Sequence, residues 1–303
     1  MHLLGGIDEV GYGCRLGPLV LVATVFEVPE ASIDLWRALE KAVSRVPDGE
    51  RLPVCDSKEL FTQRKGLGVL EPTALGFLQL DPAWRGLTLS DLAERLSGTE
   101  VGGVPWLHEA DFPLPDVRTA PLRRELERAD VRLAGVRARL LEAAEFNAIM
   151  DRRQNKNLLH FEAVADLVEW VLDAHPGRDI SLRIGKLSGR TFYLRPLHER
   201  FGLPVMAAEE SRGVSTYRLH EGGRIATLSF IRDGDRTEFP IALSSIIAKY
   251  LREGWMKLFN VYWSKRVADL RPTAGYGTDA MRFYDAIKGR MLPLSEREVL
   301  RSR

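Results

Sequence analysis

The chain opens on two apolar runs, Leu3 to Val10 and Leu19 to Val28, separated by the glycine-punctuated stretch Gly11-Tyr12-Gly13. That pattern predicts a strand pair or β-hairpin over residues 1–28. Ile33, Leu35, Leu39 and Val43 have the spacing of an amphipathic helix over 31–46, so an α/β start is expected. From about 61 to 123 the periodicity breaks into Pro- and Gly-rich pieces such as Gly102-Gly103-Val104-Pro105-Trp106 and Asp111-Phe112-Pro113-Leu114-Pro115, which read as an inserted segment or small lobe. Helical spacing is read again over 122–144. It returns from Asn157, where Leu158, Phe161, Ala165, Val168 and Leu172 form a core stripe that stops at His175-Pro176-Gly177. Short strands are predicted at 180–184 and 203–208, a hairpin over 216–230 around Gly222-Gly223, and a long helix over 240–263.

Composition narrows the class. With 303 residues and 45% apolar content, the chain can bury a large α/β core. No apolar run approaches the roughly 18 residues of a membrane span, and the opening lacks the regions of a signal peptide, so a cytoplasmic protein is expected. Cys14 and Cys55 lack zinc-site spacing and are expected to be reduced thiols without assigned chemistry. Lys plus Arg number 43 against 42 Asp plus Glu, a formal charge of +1. A polyanion would therefore have to be gripped by a local basic face.

Chemistry concentrates in four motifs. Asp8-Glu9 stands at the end of the first apolar run, directly before the glycine loop. Asp56-Ser57-Lys58 follows, then Gly234-Asp235 ahead of Ser244-Ser245-Ile246-Ile247-Ala248-Lys249, and last Gly275-Tyr276-Gly277-Thr278. In this order they resemble the type 2 ribonuclease H family, ribonuclease HII, in a divergent form. The resemblance covers the first sixty or so residues and about 158–287.

The resemblance implies a ribonuclease H-like α/β fold: a mixed central sheet flanked by helices, one domain over 1–303 with 61–123 inserted in it. It implies metal-dependent cleavage of the RNA strand of RNA-DNA hybrids, or cleavage at ribonucleotides in duplex DNA, by a monomer. Two divalent ions about 3.5–4 Å apart activate water and stabilise the leaving oxygen in such a centre. Hard Mg²⁺ or Mn²⁺ calls for oxygen ligands, and by position these are Asp8, Glu9 and Asp235. Gly11, Tyr12 and Gly13 would bring backbone to the ribose 2′-hydroxyl, Ser57, Lys58 and Lys249 would approach phosphates, and Tyr276 would pack on a sugar. Neighbouring carboxylates on a straight strand point to opposite faces, so Asp8 and Glu9 share a site only if the chain bends, for which Gly11 and Gly13 offer a means.

Three departures from the family pattern matter. Gly185 stands where a metal-binding aspartate belongs, with Asp179 and Asp233 out of place and Glu210 or Asp233 as substitutes that would have to swing in. Tyr12 replaces the commoner arginine of the loop, and Cys14-Arg15 replace a proline and a small residue. Glu253 replaces an aspartate, read as an exchange on a helix surface. The departure at Gly185 keeps a second reading open, a catalytically impaired nucleic-acid-binding protein on the same scaffold. A third reading makes the chain a structural partner acting through 61–123.

Overall fold

The computed structural model of the chain describes residues 1–100, 104–187, 190–221 and 223–302. Gly102 and Gly103 of the punctuated segment, Ser188 and Gly189 after the strand at 180–184, and Gly222 of the expected hairpin turn lie outside the described residues.

Among the described residues nine strands are present: β1 His2–Val10, β2 Leu19–Val28, β3 Val43–Ser44, β4 Leu52–Pro53, β5 Arg132–Leu141, β6 Ile180–Gly185, β7 Val205–Glu210, β8 Val214–Glu221 and β9 Arg224–Ile231. Seven of them form one sheet in the order β5-β2-β1-β6-β9-β8-β7. β1 is antiparallel to β2 but parallel to β6, and β6 is parallel to β9, so β1, β6 and β9 all end at the same edge. This is the mixed, helix-flanked sheet of the ribonuclease H-like α/β class, as the motifs implied.

β2 is apolar at almost every position because both of its faces are covered. Val20, Val22, Phe26 and Val28 pack in the cluster that holds the long helix Phe239–Ser264. Leu19, Leu21, Ala23 and Val25 pack in the other cluster, with the helix Lys156–Ala174. The same alternation in β1 sends Leu4 to the long-helix face and Leu3 and Ile7 to the opposite one. Both helices sit close to their sequence-predicted positions.

Two other predicted helices are corrected. Over 31–46 only Leu35–Ala38 is helical, capped by the Asp34 side chain, which accepts from the Trp36 and Arg37 amides. The chain then turns into β3, where the carbonyls of Ala42, just before it, and Ser44, within it, accept the amides of Leu52 and Val54. Leu35, Leu39 and Val43 are buried as their spacing implied, but in a tight turn and a two-residue strand rather than one helix. Over 122–144 the helix ends at Arg128, Asp130 reverses the chain with a φ of 52°, and Arg132–Leu141 is the edge strand β5. Here Val136, Ala138 and Leu140 alternate with Arg137 and Arg139, a period of two and not the expected helical one, and pairing with the outer side of β2 makes the segment a strand.

The segment 61–123 is largely helical, with Glu71–Leu78, Leu89–Ser97 and Pro105–Glu109. Leu75, Phe77, Leu89, Leu96 and Trp106 join the same apolar cluster as the long helix, and the buried Trp106 ring meets Trp255, Phe259 and Tyr262 edge-on. Among the described residues no helix is long and apolar enough to cross a membrane.

The long helix is seated on β1 at Gly6, where a Cβ would lie 2.1 Å from the Pro240 carbonyl carbon. The contact is tied by Ser244 Oγ donating to the Gly6 carbonyl at 2.9 Å and Thr24 Oγ1 donating to the Pro240 carbonyl at 3.1 Å. Because the obstacle is backbone, it cannot rotate away. Gly6→Ala is expected to destabilise the chain by about 3 kcal/mol or more in urea unfolding, through forced separation of helix and strand. A change under about 0.5 kcal/mol would show that the helix is not so closely seated.

Candidate active site at the ends of three parallel strands

β1 ends on Asp8, Glu9 and Val10, β6 on Gly185, and β9 leads through Asp233-Gly234 to Asp235. Asp8 occupies an even position of β1 and faces the long helix, where its carboxylate is hydrogen-bonded to Ser245. Ser245 Oγ is 3.0 Å from Ser57 Oγ, and both serines are buried. The DSK motif therefore supports Asp8 through a hydroxyl relay, and Ser57 does not stand open to a phosphate. Lys58, in contrast, is exposed, and its charge partly offsets that of Asp235.

Asp235 lies at the start of the helical turn Gly234–Thr237, hydrogen-bonded to Asp56. Asp56, buried, also caps the turn Ser57–Leu60 by accepting the Lys58 amide at 2.9 Å and pairs with Arg236 at 3.3 Å. Desolvation, with Glu9 and then Asp235 adding repulsion, pushes the Asp8 carboxyl well above the usual carboxylate range. Desolvation followed by the Asp56 charge pushes Asp235 up as well.

Gly185 is beside Asp8, as the alignment of motifs placed it. A Cβ built there would fall 2.4 Å from Asp8 Oδ1, so the Asp8 carboxylate leans over the space where a side chain at 185 would start. The substitutes considered from sequence are engaged elsewhere. Glu210 accepts the Tyr217 hydroxyl, Asp233 is exposed and 3.6 Å from Arg232, and Asp179 accepts the Ile225 amide at 2.8 Å.

Glu9 takes the other face. No bend separates it from Asp8, since Asp8, Glu9 and Val10 stay in register opposite Val22, Leu21 and Val20. Its carboxylate lies 3.6 Å from Nε2 of His160, a buried residue of the helix Lys156–Ala174. The Tyr12 ring stacks on His160 with centroids 4.7 Å apart, and the Tyr12 hydroxyl donates to Asn157 Oδ1 at 2.7 Å. The expected bend thus does not occur within β1, and the two carboxylates are directed to opposite sides of the sheet.

The glycine loop and Tyr276 are adjacent: Cys14 forms an isolated β-bridge with Tyr276, a residue that is 41% exposed. Gly11 has a φ of +96° and a Cβ there would lie 2.6 Å from the Pro18 carbonyl oxygen, so glycine is required; around Gly13 the space is open. Lys249 is held inside, 3.0 Å from Glu253 and 4.8 Å from the Phe61 ring centre. Glu253 is not on a helix surface as read from sequence. It is buried and takes Lys249, Arg252 at 3.1 Å and Gln63 at 3.2 Å, and the longer acid reaches all three.

Four contributors carried no role in the sequence reading: Asp56, Ser245, His160 and Arg252. Asp56 and Ser245 lay inside quoted motifs. His160 carried only the weak signal of a polar residue at a helix position that must be buried.

A two-ion centre needs several oxygen ligands converging on one point. Among the described residues no group of three or more Asp, Glu, His or Cys side chains is arranged to hold a metal ion. With Glu9 turned to His160, Asp235 to Asp56, and no side chain at 185, the residues present do not fit such a pair of ions.

No family model matches the sequence, and no curated protein matches it. Among solved structures, ribonuclease HII of Archaeoglobus fulgidus in its complex with PCNA is 16% identical, with 99% of this chain and 94% of that one covered and a TM-score of 0.48. Ribonuclease H2 of Pyrococcus horikoshii OT3 is 14% identical over 98% of this chain and 92% of that one, with a TM-score of 0.46. Ribonuclease H3 of Aquifex aeolicus is 13% identical over 98% and 70%, with a TM-score of 0.43.

The raised Asp8 carboxyl has a consequence for stability. The native state keeps its proton to higher pH than the unfolded chain does, so stability present below about pH 4 is lost as pH rises through the native value. Without divalent ions, Asp8→Asn is expected to unfold at a higher temperature than the parent chain at neutral pH, with the difference shrinking towards about pH 4. Thermal unfolding across that range checks it, and a difference independent of pH would contradict the desolvated placement of Asp8.

Proposed function

We propose that this chain is a ribonuclease H-type protein that grips RNA-DNA hybrids, or duplex DNA carrying ribonucleotides, and in which hydrolysis of the RNA strand is weak because the carboxylate set lacks a member. The observation that carries the reading is the pairing of an open glycine loop with the exposed Tyr276 through the Cys14 bridge, one strand end away from Asp8. An RNA-selective surface needs backbone close to a 2′-hydroxyl and an aromatic face for a sugar, and these two features supply both. Lys58 adds an exposed charge for a phosphate. The protein is proposed to act as a monomer in the cytoplasm.

On this reading the chain's own residues divide the work. Tyr12 and Gly13 discriminate the ribose, Tyr276 and Lys58 fix the register of the duplex, and the Ser57 and Ser245 hydroxyls hold the Asp8 carboxyl in place. Mg²⁺ or Mn²⁺ supplies water activation in this family, and Asp8 and Asp235 alone are a poor cradle for it. The second reading, full hydrolytic competence, is favoured by one feature: Asp56 brings to Asp235 a carboxylate that the motif resemblance did not assign.

Gly185 has an ordinary backbone conformation, and the atom that would meet a Cβ is a terminal oxygen of the Asp8 side chain and not backbone, so an aspartate fits there once the Asp8 carboxylate turns aside. Gly185→Asp is therefore expected to raise cleavage of a hybrid, or of a duplex with one ribonucleotide, at least about 100-fold with Mg²⁺ or Mn²⁺ while leaving affinity within about threefold. Equal cleavage by parent and Gly185→Asp, abolished by Asp8→Asn, would establish the second reading. Failure of the parent chain to bind either duplex more tightly than plain DNA would overturn the proposal.

A further inference from the structure

Beneath the glycine loop lies a guanidinium that no motif announced. Arg301 follows the short helix Glu296–Val299 and is completely buried. Its Nη1 donates to the Gly11 carbonyl at 2.7 Å and to the Gly17 carbonyl at 3.4 Å, and its Nη2 donates to the Tyr12 carbonyl at 3.3 Å. Its own amide donates to the Arg15 carbonyl at 2.8 Å, and the preceding Leu300 bridges Leu16. The guanidinium lies 4.0 Å from the Phe146 ring centre. Burial pulls its pKa down to about 10, so it stays charged at neutral pH.

The consequence follows from peptide geometry. In a trans planar peptide the C=O of one residue and the N–H of the next point in opposite directions. Drawing the Gly11 carbonyl inward turns the Tyr12 amide outward, and drawing the Tyr12 carbonyl inward turns the Gly13 amide outward. Among the described residues neither amide donates to a protein acceptor. Two successive outward amides form a concave donor pair suited to an oxygen. The open space around Gly13 leaves that pair accessible.

We propose that Arg301 is a positioning residue that sets the RNA-over-DNA preference by turning the Tyr12 and Gly13 amides towards the ribose 2′-hydroxyl. Arg301 touches no substrate and acts through two backbone carbonyls. A buried cation is suited to this because its donor fork spans adjacent carbonyls in fixed geometry, which a lysine ammonium cannot reproduce. The inference rests on the nucleic-acid reading above.

The test compares the parent chain with Arg301→Lys, Arg301→Gln and Gly13→Ala, using anisotropy with an all-DNA duplex and the same duplex carrying one ribonucleotide. The ratio of the two affinities is expected to fall at least about tenfold in all three variants, with DNA affinity and its salt dependence unchanged in Arg301→Lys. Gly13→Ala meets nothing within 4 Å, so it is expected to fold normally and decides the amide surface even where Arg301→Gln does not fold. Amide NMR shifts of Tyr12 and Gly13 in Arg301→Lys report the carbonyl grip without any nucleic acid, and are expected to move. An intact affinity ratio in Arg301→Lys and Gly13→Ala would overturn the inference. Absence of any preference in the parent chain, with the amide shifts moving in Arg301→Lys, would fault the nucleic-acid reading while leaving the grip of Arg301 on the loop in place.

Discussion

A straight β-strand sends successive side chains to opposite faces, and β1 stays straight through Val10 because it remains paired with β2 from His2 onward. Everything at the candidate site is arranged around that constraint. Asp8 must face the long helix, and Glu9 must face the helix Lys156–Ala174. The long helix can come close enough to receive Asp8 only because Gly6, two residues earlier on the same face, has no side chain. The bend that would have let both carboxylates serve one point is displaced into the loop that begins at Gly11, where φ becomes positive.

Two carboxylates on opposite faces leave each to find its own partners. Asp8 finds Ser245 and, through it, Ser57; Glu9 finds His160 under the Tyr12 ring. Asp235 shares its hydrogen bond with Asp56, and Arg236 balances that pair. At 185 the absence of a side chain gives the Asp8 carboxylate room to lean across. Each acid thus has its own neighbours, an arrangement poor at the one thing a two-ion centre requires, several oxygens aimed at a common point. The glycine-loop side is built differently. Buried Arg252 and Arg301 hold the loop from beneath, Arg252 reaching the Ala274 carbonyl at 2.9 Å and Cys14 Sγ at 2.7 Å and lying 4.9 Å from the Tyr276 ring centre, so loop and Tyr276 are fixed relative to one another.

Much of the scaffold was legible in the sequence because it follows hydrophobic period. The first strand pair, the helix from Asn157, the strand at 180–184 and the long helix all declare themselves by alternation or by spacing of three and four. The failures occurred where one spacing serves two geometries. Leu35, Leu39 and Val43 are as well buried by a tight turn and a short strand as by a helix, and the residues of β5 match a helix until its neighbour β2 is known to lack a partner on that side. Of the candidate site, Asp8, Asp235, Gly185, the glycine loop and Tyr276 were marked by motif, while the surroundings of Lys249 and Glu253 were misread because the two pair with one another along the long helix. His160 and Arg301 were beyond reach, since their meaning depends on contacts across long separations, 290 residues between Arg301 and Gly11.

On the proposed reading, geometry at Asp8 and Gly185, and not any loss of fold, would limit metal-dependent hydrolysis. It is tested most directly by counting ions. Calorimetric titration with Mn²⁺ of the parent chain and of Gly185→Asp, without nucleic acid and with unfolding followed in parallel, separates ligand set from scaffold. The account predicts weaker Mn²⁺ binding by the parent chain, with fewer ions at saturation than Gly185→Asp takes up at similar stability. Equal stoichiometry and affinity in the two proteins would contradict it, because the acids already present would then suffice.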